Sequence, residues 1–213
     1  TPILTYLKSS LQSSLRKPFN SKAIQKMTSL RSGVKSGVKN KINWSYFPKT
    51  DPIPEELKEA INIFEKNFTK INSYKNNTKD NRLWSDDILK IVEQDFINAN
   101  YKIETGKKKK NKIRVPVLFG PQGSTAQAFE VDGWHEEYKI VLEIEGGRAV
   151  VNNQFLKDIF EASVMVHIDY LVLAVRNIYN TTKDYEVICG WLETLYTTNR
   201  IKFSLKGILI IGY

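Results

Sequence analysis

FEVDGWHEEYKIVLEIEGGR, residues 129–148, sets six carboxylates into twenty residues that otherwise read as strand. Two of them, Glu143 and Glu145, flank Ile144 inside the run IVLEIE (140–145). Side chains alternate across a strand, so Ile140, Leu142 and Ile144 share one face and Val141, Glu143 and Glu145 the other. In the preceding strand, read over AQAFEVDG (126–133), Phe129 and Val131 oppose Ala128, Glu130 and Asp132. A hairpin that aligns the two acidic faces brings Asp132, Glu143 and Glu145 to one patch. Crowded carboxylates repel and resist desolvation, so they need water or a counter-charge. A hard divalent cation with oxygen ligands is an economical counter-charge, and Mg2+ is typical of phosphate chemistry. The plainer alternative is the wet face of an edge strand. Against it, Gly146-Gly147, a helix and an apolar strand follow, which predicts that IVLEIE feeds a crossover and lies within a sheet. Open α/β sheets collect their sites near the ends of such strands.

Outward from this stretch, Pro54 opens a helix EELKEAINIFEKNF with Leu57, Ile61 and Phe64 or Phe68 inward. NSYKNNTKDNR is a polar loop. Ser85 is expected to cap DDILKIVEQDFINA, whose Ile88, Ile91, Val92 and Phe96 form a buried stripe. Strands are expected at 101–104, 113–119, 126–133 and 139–145, joined by the turns GKKKKNK (106–112) and GPQGS (120–124). A helix near 153–165, for which Asn152 and Asn153 are candidate caps, leads into YLVLAV (170–175), an apolar run suited to a central strand. A helix around 184–197 precedes the strand KGILIIGY. This order predicts an α/β fold, a mixed central sheet flanked by helices.

The first fifty residues differ in texture. They carry ten Lys or Arg and no Asp or Glu, whereas the remainder balances 22 basic against 23 acidic residues. The whole formal charge of +9 therefore comes from them. Ile3, Leu7, Leu11 and Leu15 predict a helix ended by Pro18, a second runs from Ser21 to Gly33, and SGVKSGVK reads as a basic connector. We divide the chain into a basic helical arm (1–50) and an α/β domain (51–213). Such an arm suits an anionic partner, nucleic acid first and an anionic membrane second, or it is simply a solvated tail. Acid-free, Ser-rich and basic, it also has the features of an organellar transit peptide. No apolar run approaches the ~18 residues a membrane helix needs. The single Cys189 excludes an internal disulfide framework and a multi-cysteine zinc site, and predicts an intracellular home.

The arrangement of Asp132, ten intervening residues, Glu143-Ile144-Glu145, then a helix and a strand resembles the PD-(D/E)XK nuclease superfamily. Within it, the likeness is to Type II restriction endonucleases of the BamHI and BglII kind, over roughly residues 85–178. The resemblance implies a restriction endonuclease-like three-layer α/β/α fold and a cytoplasmic, prokaryotic restriction-modification role. It also implies Mg2+-dependent cleavage of double-stranded DNA, with Mn2+ able to substitute. Asp132 and Glu143 match the metal-binding acids, with the main-chain carbonyl of Ile144, and Glu145 falls where most members carry lysine. Glu93 is the candidate for a further acid from the helix before the hairpin, with Asp86 and Asp87 behind it. A glutamate at the lysine position can orient or deprotonate a water, but the stabilising cation must come from elsewhere. Arg148 and Lys157 are the nearby choices. Both, with Lys107, Lys108, Lys109 and Lys110, are expected DNA contacts. A homodimer suits cleavage of both strands.

Three rivals stay open: a degenerate, non-catalytic nucleic-acid-binding protein, a repair or junction-resolving nuclease, and a glycosidase with paired carboxylates. His135 reads as a surface residue, Trp134 as a base-stacking or turn-pinning ring, and His167 has no evident partner. No nucleophile elbow, P-loop or Rossmann glycine pattern occurs.

Overall fold

The computed structural model of the chain describes residues 41–106 and 108–213. The two helices and the SGVK repeat expected in the first forty residues, and Lys107, lie outside the described residues. Within them, β1 (Asn43–Phe47) precedes α1 (Lys58–Ile71) and α2 (Ser85–Asn98). Then come β2 (Lys102–Ile103), β3 (Ile113–Phe119), β4 (Thr125–Val131), β5 (Gly133–His135) and β6 (Ile140–Glu145). The chain ends with α3 (Gln154–Val164), β7 (Tyr170–Val175), α4 (Asp184–Thr198) and β8 (Gly207–Gly212).

Six strands form one mixed sheet in the order β1-β8-β7-β6-β5-β2. The strands β6, β7 and β8 run parallel, as helical crossovers require, and β1, β5 and β2 add antiparallel edges. YLVLAV is central, and five of its six residues are buried, because helices cover both faces. On one side, Phe64 and Phe68 of α1 and Ile88, Val92 and Phe96 of α2 pack on Ile140, Leu142, Val172 and Leu209. On the other, Phe155 and Ile159 of α3 and Ile188 and Leu192 of α4 pack on Val141, Leu171, Leu173 and Ile210. The fold is thus a mixed α/β sheet flanked by helices, and the helical stripes point inward with the expected spacing.

Several expectations change. The strand β1 lies inside the segment read as a basic arm, yet it pairs with β8 from Asn43↔Gly212 to Phe47↔Ile208, and Tyr46 and Phe47 are buried. The charge imbalance hid a short apolar run. The segment 126–133 is not one strand: β4 pairs with β3 in a separate two-stranded ribbon, and β5 joins the main sheet. The α2 N-cap is Trp84 rather than Ser85, and the Asp87 carboxylate accepts the Trp84 N–H at 2.8 Å. Asn153 is the α3 N-cap, but it has no side-chain capping bond and a φ of 55°. His135 is 3 % exposed rather than a surface residue. Its ring stacks on Tyr138 and meets Tyr101 edge-on, and its Nδ1 accepts the Tyr138 N–H.

The polar loop 72–82 is anchored by Arg176, whose fully buried guanidinium donates to the carbonyls of Ile178, Leu83, Ser73 and Asn76. A fork of five donors at the end of β7 satisfies carbonyls that a loop cannot pair internally. No helix among the described residues is long and apolar enough to cross a membrane.

Candidate functional site

Gly133 pairs with Leu142 and Trp134 with Val141, so the same register sets Asp132 opposite Glu143. Parity then puts Asp132, Glu143 and Glu145 on the α3 side of the sheet, because Leu142 and Ile144 belong to the α1–α2 side. Asp132 is fixed by its backbone and side chain together. Its carbonyl accepts the Glu104 N–H at 2.9 Å, and its Oδ2 accepts the Ile144 N–H at 2.8 Å. The end of β6 is fixed as well. The Tyr213 hydroxyl donates to the Glu145 carbonyl at 2.8 Å, and a Cβ at Gly146 would collide with the backbone of Trp84 and Ser85. Glycine is therefore required where the strand passes the start of α2.

The helix α3 adds a carboxylate that the sequence reading did not single out. Asp158 is 7 % exposed and shares a hydrogen bond with Glu145. Its buried Oδ2 has no hydrogen-bond partner among the described residues. Two carboxyl groups can share such a bond only if one holds a proton. Its neighbour Lys157 stands 3.0 Å from Glu161 and 3.7 Å from Asp158. The available signal was helical phase: Asp158 lies three residues after Phe155 and one before Ile159, both core residues of α3.

Burial and mutual repulsion set the protonation of this group. Desolvation, opposed by the Ile144 N–H, holds the Asp132 carboxyl up at about 7, with Glu104 and Asp158 adding to the rise. Desolvation, then Asp158, lifts Glu145 to about 8. Glu143 is pushed well above the carboxylate range by desolvation, then by Asp132 and Asp158. Asp158 is raised by burial, with Lys157 pulling the other way. The carboxyls outnumber the cations, so near neutral pH the cluster holds protons in place of positive charge.

Other expected residues fall elsewhere. Glu93 is on α2, the layer against the opposite face of the sheet, roughly 12 Å along the helix from Ser85. It is not brought to the acids, because the strand parity that exposes Glu143 to α3 turns it away from α2. Asp87 serves as a cap. Both candidate cations are exposed: Lys157 stands at the rim of the acidic group, 3.7 Å from Asp158, whereas Arg148 lies in the loop after β6 with a φ of 68°. Lys108, just before the 3-10 turn Lys109–Asn111, and Lys110, within it, are exposed, and Lys112 pairs with Glu104 at 2.7 Å. Trp134 is half-buried with the Lys102 ammonium 4.7 Å from its ring. Glu130, Glu136 and Glu137 are exposed.

Among the described residues, no group of three or more His, Cys, Asp or Glu side chains is arranged to hold a metal ion by itself. The set implied by the resemblance is smaller, two carboxylates and a main-chain carbonyl. The donor chemistry fits a hard divalent cation: half-buried carboxyl oxygens, with Lys157 and Lys112 the described cations that act on them.

No family model matches the chain, and no curated protein matches it. Among solved structures it is similar to the crystal structure of restriction endonuclease BglII complexed with a DNA 16-mer. The identity is 14%, 81% of this chain and 77% of that chain are covered, and the TM-score is 0.45. At that similarity, the functional reading rests on the residues of the site themselves.

Proposed function

We propose that the chain is a Mg2+-dependent endodeoxyribonuclease, restriction endonuclease-like, that hydrolyses phosphodiester bonds of double-stranded DNA. The observation that carries this reading is the convergence of Asp132, Glu143, Glu145 and Asp158 on one largely buried face, with Lys157 at its rim. Carboxyls with so little balancing charge are costly in a fold unless a cation or proton occupies them. Asp132, Glu143 and the Ile144 carbonyl would hold the ion, for which Mn2+ can stand in. When bound, such an ion neutralises these acids and lowers the pKa of a bound water.

The chain's own residues do the rest. Glu145 orients the attacking water, in the place where most similar sites carry lysine. Asp158 fixes the Glu145 carboxyl through their shared hydrogen bond. Lys157 supplies the positive charge that a glutamate at the third position lacks. Cleaving both strands calls for a two-fold homodimer.

The test is relaxation and linearisation of supercoiled plasmid with Mg2+ against the same reaction in EDTA. Cleavage that depends on the cation and is lost in Asp132→Ala is expected. Equal behaviour of wild type and variant overturns the reading.

A further inference from the structure

The ribbon formed by β3 and β4 pairs with itself alone and ends at the acid Asp132. Its foot is built in: Val115 and Val131 are buried, and the Pro116 carbonyl accepts the Val166 N–H at 2.8 Å. Its far end is open. Leu118 is 60 % exposed, Phe119 is 53 %, and all of residues 121–126 are exposed. The tip is nevertheless ordered by its own bonds, since Gly120 N–H donates to the Ser124 carbonyl at 2.7 Å and Ser124 Oγ to the Pro121 carbonyl at 2.8 Å. Between Glu104 and Glu130 the sequence holds no acid, but it carries Lys107, Lys108, Lys109, Lys110, Lys112 and Arg114. A built foot, an ordered and acid-free tip, and the exposed Lys108 and Lys110 ahead of β3 make a surface for a polyanion.

We propose that this ribbon reads the duplex, its tip entering the major groove while Asp132 at its foot stands at the bond to be cut. The inference rests on the nuclease reading above and adds the element that gives it sequence preference. The roughly 12 Å major groove admits a two-stranded ribbon, and its base edges distinguish all four base pairs, whereas the minor-groove pattern is degenerate. Seven residues per strand carry the tip on the order of 20 Å from Asp132, a reach of roughly six base pairs at about 3.4 Å each. The division of labour follows from chemistry. Lys108 and Lys110, exposed at the approach, meet phosphates and carry no sequence information. Gln122, Ser124, Thr125 and Gln127 offer donors and acceptors to base edges, and Leu118 offers apolar contact to a thymine methyl. Lys112, paired with Glu104, holds the foot instead.

The experiment uses the full chain and a random-duplex pool, with selection by binding, then fluorescence anisotropy on the selected and a scrambled duplex at several salt concentrations. Two variants are compared with wild type: Gln122→Ala/Thr125→Ala/Gln127→Ala at the tip, and Lys108→Ala/Lys110→Ala at the approach. The tip variant should lose at least tenfold of the selected-over-scrambled ratio with an unchanged salt slope. The lysine variant should weaken both duplexes alike and flatten the salt slope by about 1 to 2. A tip variant that keeps the wild-type ratio overturns the ribbon inference alone, and plasmid cleavage by wild type keeps the nuclease reading standing. Wild type that neither binds duplex nor cleaves it overturns both. Sedimentation adds a further check: a tip variant that turns a dimer into monomers with its sequence preference intact makes the ribbon a contact between copies, and overturns the inference.

Discussion

The two faces of β6 are built from alternate residues of one six-residue strand, and they have opposite chemistry. Toward α1 and α2, Ile140, Leu142 and Ile144 are 0 %, 0 % and 3 % exposed in an apolar layer. Toward α3, Val141 is buried in the same way, but Glu143 and Glu145 meet Asp132 and Asp158. The first face closes completely and secures the strand's position. The second is left electrostatically incomplete at its C-terminal end, where a ligand can complete it. A site of this kind needs both: carboxyls that repel one another stay in place only because the other face holds the backbone rigid.

The sharpest way to break the second face is Asp132→Asn. It retains an acceptor for the Ile144 N–H but removes a charge, and should lower the rate of plasmid nicking at least about 1,000-fold. The far-UV circular dichroism should stay that of wild type. The matching break on the first face is Leu142→Ala, which empties a fully buried position and should cost about 3 kcal/mol of stability in urea unfolding. If instead Leu142→Ala abolishes nicking at full stability, the division between the faces is wrong.

A smaller effect is expected at Lys157, the cation at the rim of the acidic face. Lys157→Ala should reduce nicking roughly 10- to 100-fold while Arg148→Ala, in the exposed loop, changes it by less than about threefold. Measured rates in the reverse order would transfer the charge-supplying role to Arg148.

The mildest perturbation is pH. Asp132 and Glu145 sit in the fold at about 7 and about 8, above their ordinary values near 4. Above their ordinary values the folded chain holds more protons than the unfolded one, so stability falls as pH rises through about 7 and about 8. In EDTA the thermal midpoint should therefore be several degrees lower at pH 8.5 than at pH 5.5, and the slope should be shallower in Glu145→Gln. Divalent cations should raise the midpoint more at the higher pH, where fewer protons compete for the carboxylates. An equal slope in wild type and Glu145→Gln would exclude a buried, proton-holding Glu145.

Much of this was legible before the fold. The alternation in IVLEIE assigns Glu143 and Glu145 to one face whatever surrounds them, since a period of two is a property of a single strand. The apolar run 170–175 announced a strand covered on both sides. Other features were hidden because their cause lies far along the chain. Trp44, Tyr46 and Phe47 looked like the end of a basic segment, and only pairing with β8, some 160 residues later, makes them sheet. His135, in a charged turn, is buried because Tyr101 and Tyr138 close around it.

The sequence by itself determined the parity of the acids, the inward stripes of the helices and the class of the fold, because each depends on the period of a single element. The tertiary structure decided which acids form the site. It set Asp132 across from Glu143 by the register of a three-residue strand, and it laid Asp158 and Lys157 of α3 against them. It also left Glu93 on the opposite side of the sheet. Helix-to-strand packing is a contact between distant segments, so it is fixed by the shape of the whole core and not by any local pattern.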